Sequence, residues 1–319
     1  MTIKNILILT QIKGIGPVFF KKHRAEMLYT DDITIFIKDT SSESSLSIQQ
    51  LAKRADEIIH QCKLLGIQII SYLSDEYPAL LLEINDPPPI LYLKGNISLL
   101  QKKTIAIIGT RRSTCLGNSI AARVGEYFSD EFAICNGLVD GIDEHSVFVE
   151  GKARTNTIGI LSGGLDYEYT CSKMLSGKIQ SVLSSGGLII SELPPAQKED
   201  KYSASKSSRI QAGLARGIIL VQSKINGGSK FALGTFALLP RALGVIHFPT
   251  AKEYQEEHFE ANRLIVQEQR KGIAVIIKKS KEKIQLGSII TITNKADYEL
   301  FKKALIKSGE TKCIPNLLF

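Results

Sequence analysis

The 319-residue sequence has no tryptophan, three methionines and five cysteines. Without tryptophan it lacks one good stacking group, although ten tyrosines and twelve phenylalanines remain. The cysteines, at positions 62, 115, 135, 171 and 313, are odd in number, scattered and never in CxxC spacing. That argues against a zinc ribbon and a disulfide framework and for a reducing cytoplasm. No apolar run approaches the roughly 18–20 residues that span a bilayer, so no membrane partner is expected. The opening MTIKNILILTQIKGIGP lacks a small-residue cleavage site, and lysine and glycine interrupt its apolar stretch, so it does not read as a signal peptide. A Walker A motif is absent, which argues against an ATPase. No internal repeat is visible, and the one low-complexity tract is SSESSLS.

What is present is an excess of cations. Forty Lys and Arg against 32 Asp and Glu leave a net charge of +8, a modest pull toward a polyanionic partner. Residues 1–65 read as helical and form the first expected domain. In LTQIKGIGPVFFKKH, two helices meet at Gly14-Ile15-Gly16-Pro17. This is either a phosphate-facing hairpin or a plain helix connection with proline at the first helical position. A serine-capped helix then ends near Gly66, followed by the strands IQIIS and LYLKG on either side of three prolines. From 104 to about 249, the aliphatic runs TIAIIG, FAICNG, TIGILSGG, GGLIISEL, GIILVQS and GVIHFP alternate with helix-compatible stretches. Such alternation predicts a doubly wound α/β fold with a parallel sheet covered on both faces. The main domain is expected over 66–275 and a short C-terminal extension over 276–319. In the extension and the stretch before it, IAVIIKKSKEKIQLG reads as a strand pair and KADYELFKKALIKSG as a helix.

In such a fold, ligands sit beyond the carboxyl ends of the strands. The first end, AIIGTRR, carries Gly109, Thr110, Arg111 and Arg112 ahead of a helical stretch. A glycine turn entering a helix N-terminus, with two arginines beside it, suits a phosphate. Read as structure alone, it is a surface turn with two solvated arginines. Gly163 and Gly164 end a later strand, and NGGSKFALG places Gly228 and Ser229 at another helix entry. A dinucleotide site does not fit, because the first turn is GTRRSTCLG rather than GxGxxG and no acidic residue ends the second strand. The cluster Asp140, Asp143, Glu144 and His145 reads as a capped loop, since no second carboxylate–histidine cluster stands at another strand end.

The blocks GIGP, YPALLLEINDPPPILYLKGN, AIIGTRR, NGLVDGID, LSGGLDYEY, ISELPP, SRIQAGLARGIILVQ, GGSKFALGTFALLPRALG and VIHFP, in this order, resemble the DNA-processing protein A (DprA/Smf) family over about residues 7–275. The resemblance implies an extended Rossmann-like domain with a doubly wound, mostly parallel sheet, preceded by a small helix-hairpin-helix (SAM-like) domain. It implies a cytoplasmic homodimer in DNA recombination that binds single-stranded DNA and loads a RecA-type recombinase, with no enzymatic activity and no cofactor. On this chain Gly109, Thr110 and Arg111 match the family's DNA-site turn, and Gly163, Leu165 and Asp166 match its GLD turn. Arg209, Ala212, Gly213 and Leu214 match its basic block, and Gly228 and Ser229 its GS turn. Arg111, Arg112, Lys206 and Arg209 would then grip phosphates. Tyr167 or Tyr169 would stack a base, or else pack at the rim.

The chain departs from the family pattern at Val139-Asp140, at Lys206-Ser207-Ser208 and within KFAL, and it shows no winged-helix tail. The alternative is a nucleotide or nucleoside-phosphate sensor or hydrolase, with Glu192 or Asp166 facing a sugar. A third possibility is a scaffold acting through protein contacts. Single-stranded DNA requires a continuous basic groove, and a nucleotide requires an enclosed cavity.

Overall fold

The computed structural model describes residues 1–38 and 46–310. Of the serine-rich tract, residues 41–45 lie outside the described residues, as does Cys313. Helix α1 (Ile3–Thr10) starts where the Thr2 hydroxyl accepts the Asn5 N–H. Pro17 opens α2 (Pro17–Lys22) as its first residue. This helix, α3 (Arg24–Tyr29) and α4 (Thr34–Lys38) bury Phe20, Met27 and Phe36 in the core. Helix α5 (Ile48–Leu64) begins with a full capping box between Ser47 and Gln50. It ends in a turn in which Ile67 and Gly66 donate back to Cys62 and Lys63. The glycine hairpin joins two helices, and its second limb contributes Phe20 to the core.

The rest of the chain builds one nine-stranded sheet among the described residues, in the order β1-β2-β8-β7-β4-β3-β9-β10-β11. Strands β1 (Gln68–Ser71) and β2 (Ile90–Gly95), with the short α6 (Ala79–Leu82) between them, add the antiparallel edge. Strand β3 (Thr104–Gly109) leads through α7 (Cys115–Ser129) to β4 (Ala133–Asn136). Next come α8 (Ile142–Val147), a hairpin of β5 (Phe148–Val149) and β6 (Lys152–Ala153), and β7 (Thr157–Ile160). Helices α9 (Tyr167–Thr170) and α10 (Lys173–Ser184) lead to β8 (Leu188–Ser191). Helix α11 (Ser203–Leu214) then carries the chain back to β9 (Gly217–Gln222), which pairs with the free side of β3. The series ends with α12 (Ser229–Phe236), β10 (Ala242–Ile246), α13 (Glu260–Glu268), α14 (Arg270–Ile277), β11 (Ser288–Ile292) and α15 (Lys295–Glu310).

From β8 to β11 every pairing is parallel, and the six strands anticipated from aliphatic runs are the buried centre of this sheet. The order reverses between β3 and β9. Because parallel crossovers share one hand, α7 and α10 lie on one face and α12, α13 and α14 on the other.

Two expectations are corrected. The aliphatic run at 273–277 is helical: Ile273, Ala274 and Ile276 are buried while Lys271 and Val275 are exposed, a helical rather than an alternating pattern. The segment after 275 is no separate appendage, because β11 pairs with β10 and α15 buries Phe301 and Leu305 against the sheet.

Helices α7 and α8 approach most closely at Gly125, where an added Cβ would stand 1.8 Å from the Ser146 carbonyl oxygen. Backbone on both sides prevents relaxation by rotamer change. Gly125→Ala is expected to lose about 1–3 kcal/mol or more in urea unfolding. A midpoint within error of wild type would show that the helices can separate freely.

Candidate nucleic-acid interface

Beyond the carboxyl ends of β3, β4 and β7 lies an open cleft of about 1040 Å³, walled by α11 and the start of α12. Its rim is the 109–114 loop. The Thr110 N–H donates to the Gln222 carbonyl at 2.8 Å. The Gln222 side chain accepts the Thr114 N–H at 3.0 Å and donates to the Thr114 hydroxyl at 3.0 Å. Below the loop, Gly141 holds a φ of +79°, and a Cβ there would meet the Thr110 carbonyl oxygen at 2.4 Å. The loop is therefore fastened to β9 and to the β4–α8 turn, and it presents Arg111 and Arg112 outward. Both are exposed, and neither is ion-paired with a described residue. Thr114 caps α7 itself by accepting the Gly117 N–H, so the cations of this turn, more than the helix end, face a ligand.

Across the cleft, Gly228 and Ser229 stand at the N-terminus of α12, and the buried Ser229 hydroxyl has no hydrogen-bond partner among the described residues. Two exposed aromatics that the motif reading missed line the same cleft, each under a lysine. Tyr202 is 56% exposed with the Lys201 ammonium 4.8 Å from its ring centre, and Phe231 is 47% exposed with Lys230 at 5.5 Å. Lys224, paired with Glu257, and His258 complete that side. The available signal was an aromatic next to lysine near a helix start, in KYSAS and SKFAL.

Asp143 is the buried carboxyl of the cleft. It accepts the Gly137 N–H at 2.8 Å. Burial pushes its pKa up to about 7, against the lowering influence of that N–H, Arg111 and Lys178. The other two carboxylates of the cluster, Asp140 before α8 and Glu144 on it, are salt-bridged: Lys178 reaches Asp140 at 2.8 Å and Glu144 at 3.2 Å. No metal-holding group of acids, histidines and cysteines occurs among the described residues.

Other expected site residues fall elsewhere. Arg209 is buried with its fork closed on Glu192, at 2.7 and 2.6 Å. Its Nε lies 3.0 Å from both the backbone carbonyl and a carboxylate oxygen of Asp86. Buried and closed on two carboxylates, it is not available to grip a phosphate, and Glu192 is no longer free to face a sugar. Lys206 is exposed, but lies roughly half a turn around α11 from the wall formed by Ala204, Ser208 and Gln211. Gly163 and Gly164 form a packing turn: the Gly164 N–H donates to Gln197, and a Cβ there would meet the Pro194 oxygen at 2.0 Å. Only the neighbouring Ser162 lines the cleft. Tyr167 is half-buried against the core beside Lys94, and Tyr169 is exposed under Lys198; neither lines the cleft. Of the expected set, the fold brings together Gly109, Thr110, Arg111, Arg112, Gly228 and Ser229.

The family model described as DNA recombination-mediator protein A matches residues 68–286. The DNA processing protein DprA of Bacillus subtilis is 32% identical over 184 residues, which cover 57% of this chain and 61% of that protein. The DNA processing protein DprA of Streptococcus pneumoniae is 32% identical over 159 residues, covering 50% and 55%. The chain thus spans less than two thirds of either relative. The solved structure of DNA processing protein A from Streptococcus pneumoniae matches with a TM-score of 0.70 at 23% identity, covering 94% of this chain and 98% of that one. DNA processing protein A from Helicobacter pylori, whose structure concerns its single-stranded DNA binding mode, matches at 0.56 with 20% identity, covering 76% and 96%.

Two outcomes follow from the buried charges. Arg209→Ala strands Glu192 and Asp86 and is expected to cost about 3–5 kcal/mol in urea unfolding, with lost stability preceding any binding effect. An unchanged midpoint would mean the network contributes nothing. Asp143 titrates above the ordinary aspartate value of about 3.9, so its contribution to stability is present below that value and is lost as pH rises toward 7. Asp143→Asn keeps an acceptor for Gly137 and is expected to gain about 1 kcal/mol or more at pH 8 and little at pH 4. A gain equal at both pH values would contradict a buried, protonated Asp143.

Proposed function

Because the chain belongs to the DNA recombination-mediator protein A family, we propose that its cleft binds single-stranded DNA in DNA processing and recombination. The observation that carries this reading is the pairing, in one open cleft, of two unpaired arginines with two exposed lysine-covered aromatics. Arg111 and Arg112 grip backbone phosphates, and the buried Ser229 hydroxyl at the α12 entry donates to another. Tyr202 and Phe231 offer faces on which bases stack whatever their sequence. With its pKa pushed up to about 7, Asp143 carries less negative charge near neutral pH than an ordinary aspartate, and a nearby phosphate favours its neutral form further. The chemistry is binding without catalysis. The helical segment 1–65 and the α/β body work as two domains of a cytoplasmic homodimer that passes its strand to a RecA-type recombinase. Family membership supports these last assignments.

The test is fluorescence anisotropy with labelled oligo-dT across a salt series. Wild type should bind at low salt and weaken as salt rises, with a log–log slope of about 0.7 per phosphate contact. Arg111→Ala should lose about tenfold or more, and Tyr202→Ala or Phe231→Ala about 1–3 kcal/mol each. Absence of wild-type binding at low salt would sink the reading and turn the search to nucleotides.

A further inference from the structure

Away from the cleft, the strongest concentration of charge lies on α14 and the turn after it. Between residues 270 and 283 stand Arg270, Lys271, Lys278, Lys279, Lys281 and Lys283, against the single carboxylate Glu282. All six cations are exposed. Among the described residues only Lys271 has an ion-pair partner, Glu268 at 3.2 Å. Lys278 sits at φ +54°, a left-handed helix end that favours glycine, and a short 3₁₀ turn keeps Lys281 and Lys283 close behind it. The fold gathers these charges without neutralising them.

The cluster is linked to the cleft by α12. That helix starts at the cleft with Ser229 and runs about 12 Å to the opposite edge of the sheet, where the Ala237 carbonyl accepts the Gln285 N–H. Along it come Lys230 and Phe231 at the cleft mouth, then Gly234, whose carbonyl accepts from the Lys279 ammonium at 3.4 Å. Gly228 and Gly234 are bare on the outside: a Cβ on either would meet nothing within 4 Å. A backbone can therefore lie close against this helix on its way from the cleft to the lysines.

We propose that this surface is a second phosphate track, which holds the part of a single-stranded DNA that has left the cleft. Phosphates pass over α12 beside Lys230 and reach Lys278, Lys281 and Lys283, which hold them by charge without reading sequence. The proposal rests on the cleft binding single-stranded DNA. It makes affinity depend on strand length, because a short strand fills the cleft and only a longer one reaches the lysines.

The experiment compares oligo-dT strands of about six and about twenty nucleotides on the full chain, with the triple variant Lys278→Glu/Lys281→Glu/Lys283→Glu. Short-strand affinity should stay within about twofold of wild type. Long-strand affinity should fall about tenfold or more, with a salt slope shallower by about two. The matching Lys→Gln triple should lose in the same direction by less, and native circular dichroism should hold for both. Long-strand binding that is unchanged, or weakened no more than short-strand binding, overturns the track. So does a Lys→Gln triple with no effect, since the glutamates would then act by repulsion alone. Phosphatidylglycerol vesicles captured through these lysines while long-strand binding stays intact would assign the patch to a lipid surface instead. If wild type binds neither strand while Arg111→Ala changes nothing, the cleft reading itself has failed.

Discussion

The guanidinium of Arg241 is almost wholly out of water, and it satisfies the carbonyls that a helix leaves open at its end. One nitrogen donates to Ala212, Gly213 and Ala215 around the end of α11; the other donates to Leu80 and to the Glu83 carboxylate. About one turn back on the same helix, Arg209 closes on Glu192 and Asp86. Helix α11 is thus tied at two levels to the segment before β2 and to the end of β8. Everything that faces the cleft from this wall, including Tyr202 before the helix, inherits its position from those two buried cations. Either arginine alone in a low-dielectric interior would be costly; closed on carboxylates and carbonyls, each becomes a locating pin.

The same economy explains the charge distribution of the cleft. The cations in and around it divide into those consumed by the fold and those left open. Arg209 and Lys178 are consumed, and Lys224 is shared with Glu257. Arg111 and Arg112 are open because their loop is held through backbone and through Gln222, with no help from their own side chains. A loop fastened in this way meets a ligand with little left to order, so less of the interaction energy is spent on holding it still.

Much of the architecture was legible because buried parallel strands are continuous aliphatic runs, and six of them announce themselves in this way. Helix ends were legible where chemistry marks them, as with Ser47 and Pro17. The run at 273–277 was misread because a short apolar stretch carries no period of its own, and β11 was passed over because its pattern SIITI is only partly buried at the sheet edge. In the candidate site, the glycine–hydroxyl–arginine turn and the Gly228-Ser229 entry were readable as local chemistry. Arg209 was not, because a gripping arginine and a pinned one look alike until Asp86, 123 residues away, is brought beside it. Tyr202 and Phe231 escaped notice for the converse reason: nothing local distinguishes an aromatic that faces solvent from one that fills a core.

The reversal of strand order between β3 and β9 also has a consequence in time. Strand β3 gains β4 from the chain that follows it directly, but its other edge waits for β9; Thr114 and its Gln222 partner are 108 residues apart. As the chain emerges from a ribosome, the strands that precede β9 are complete long before that edge is covered. An aliphatic strand flank then stands open to the first compatible strand that passes, its own or a neighbour's. The arginine loop acquires its anchor only when β9 arrives, so the cleft is among the last parts of the molecule to exist.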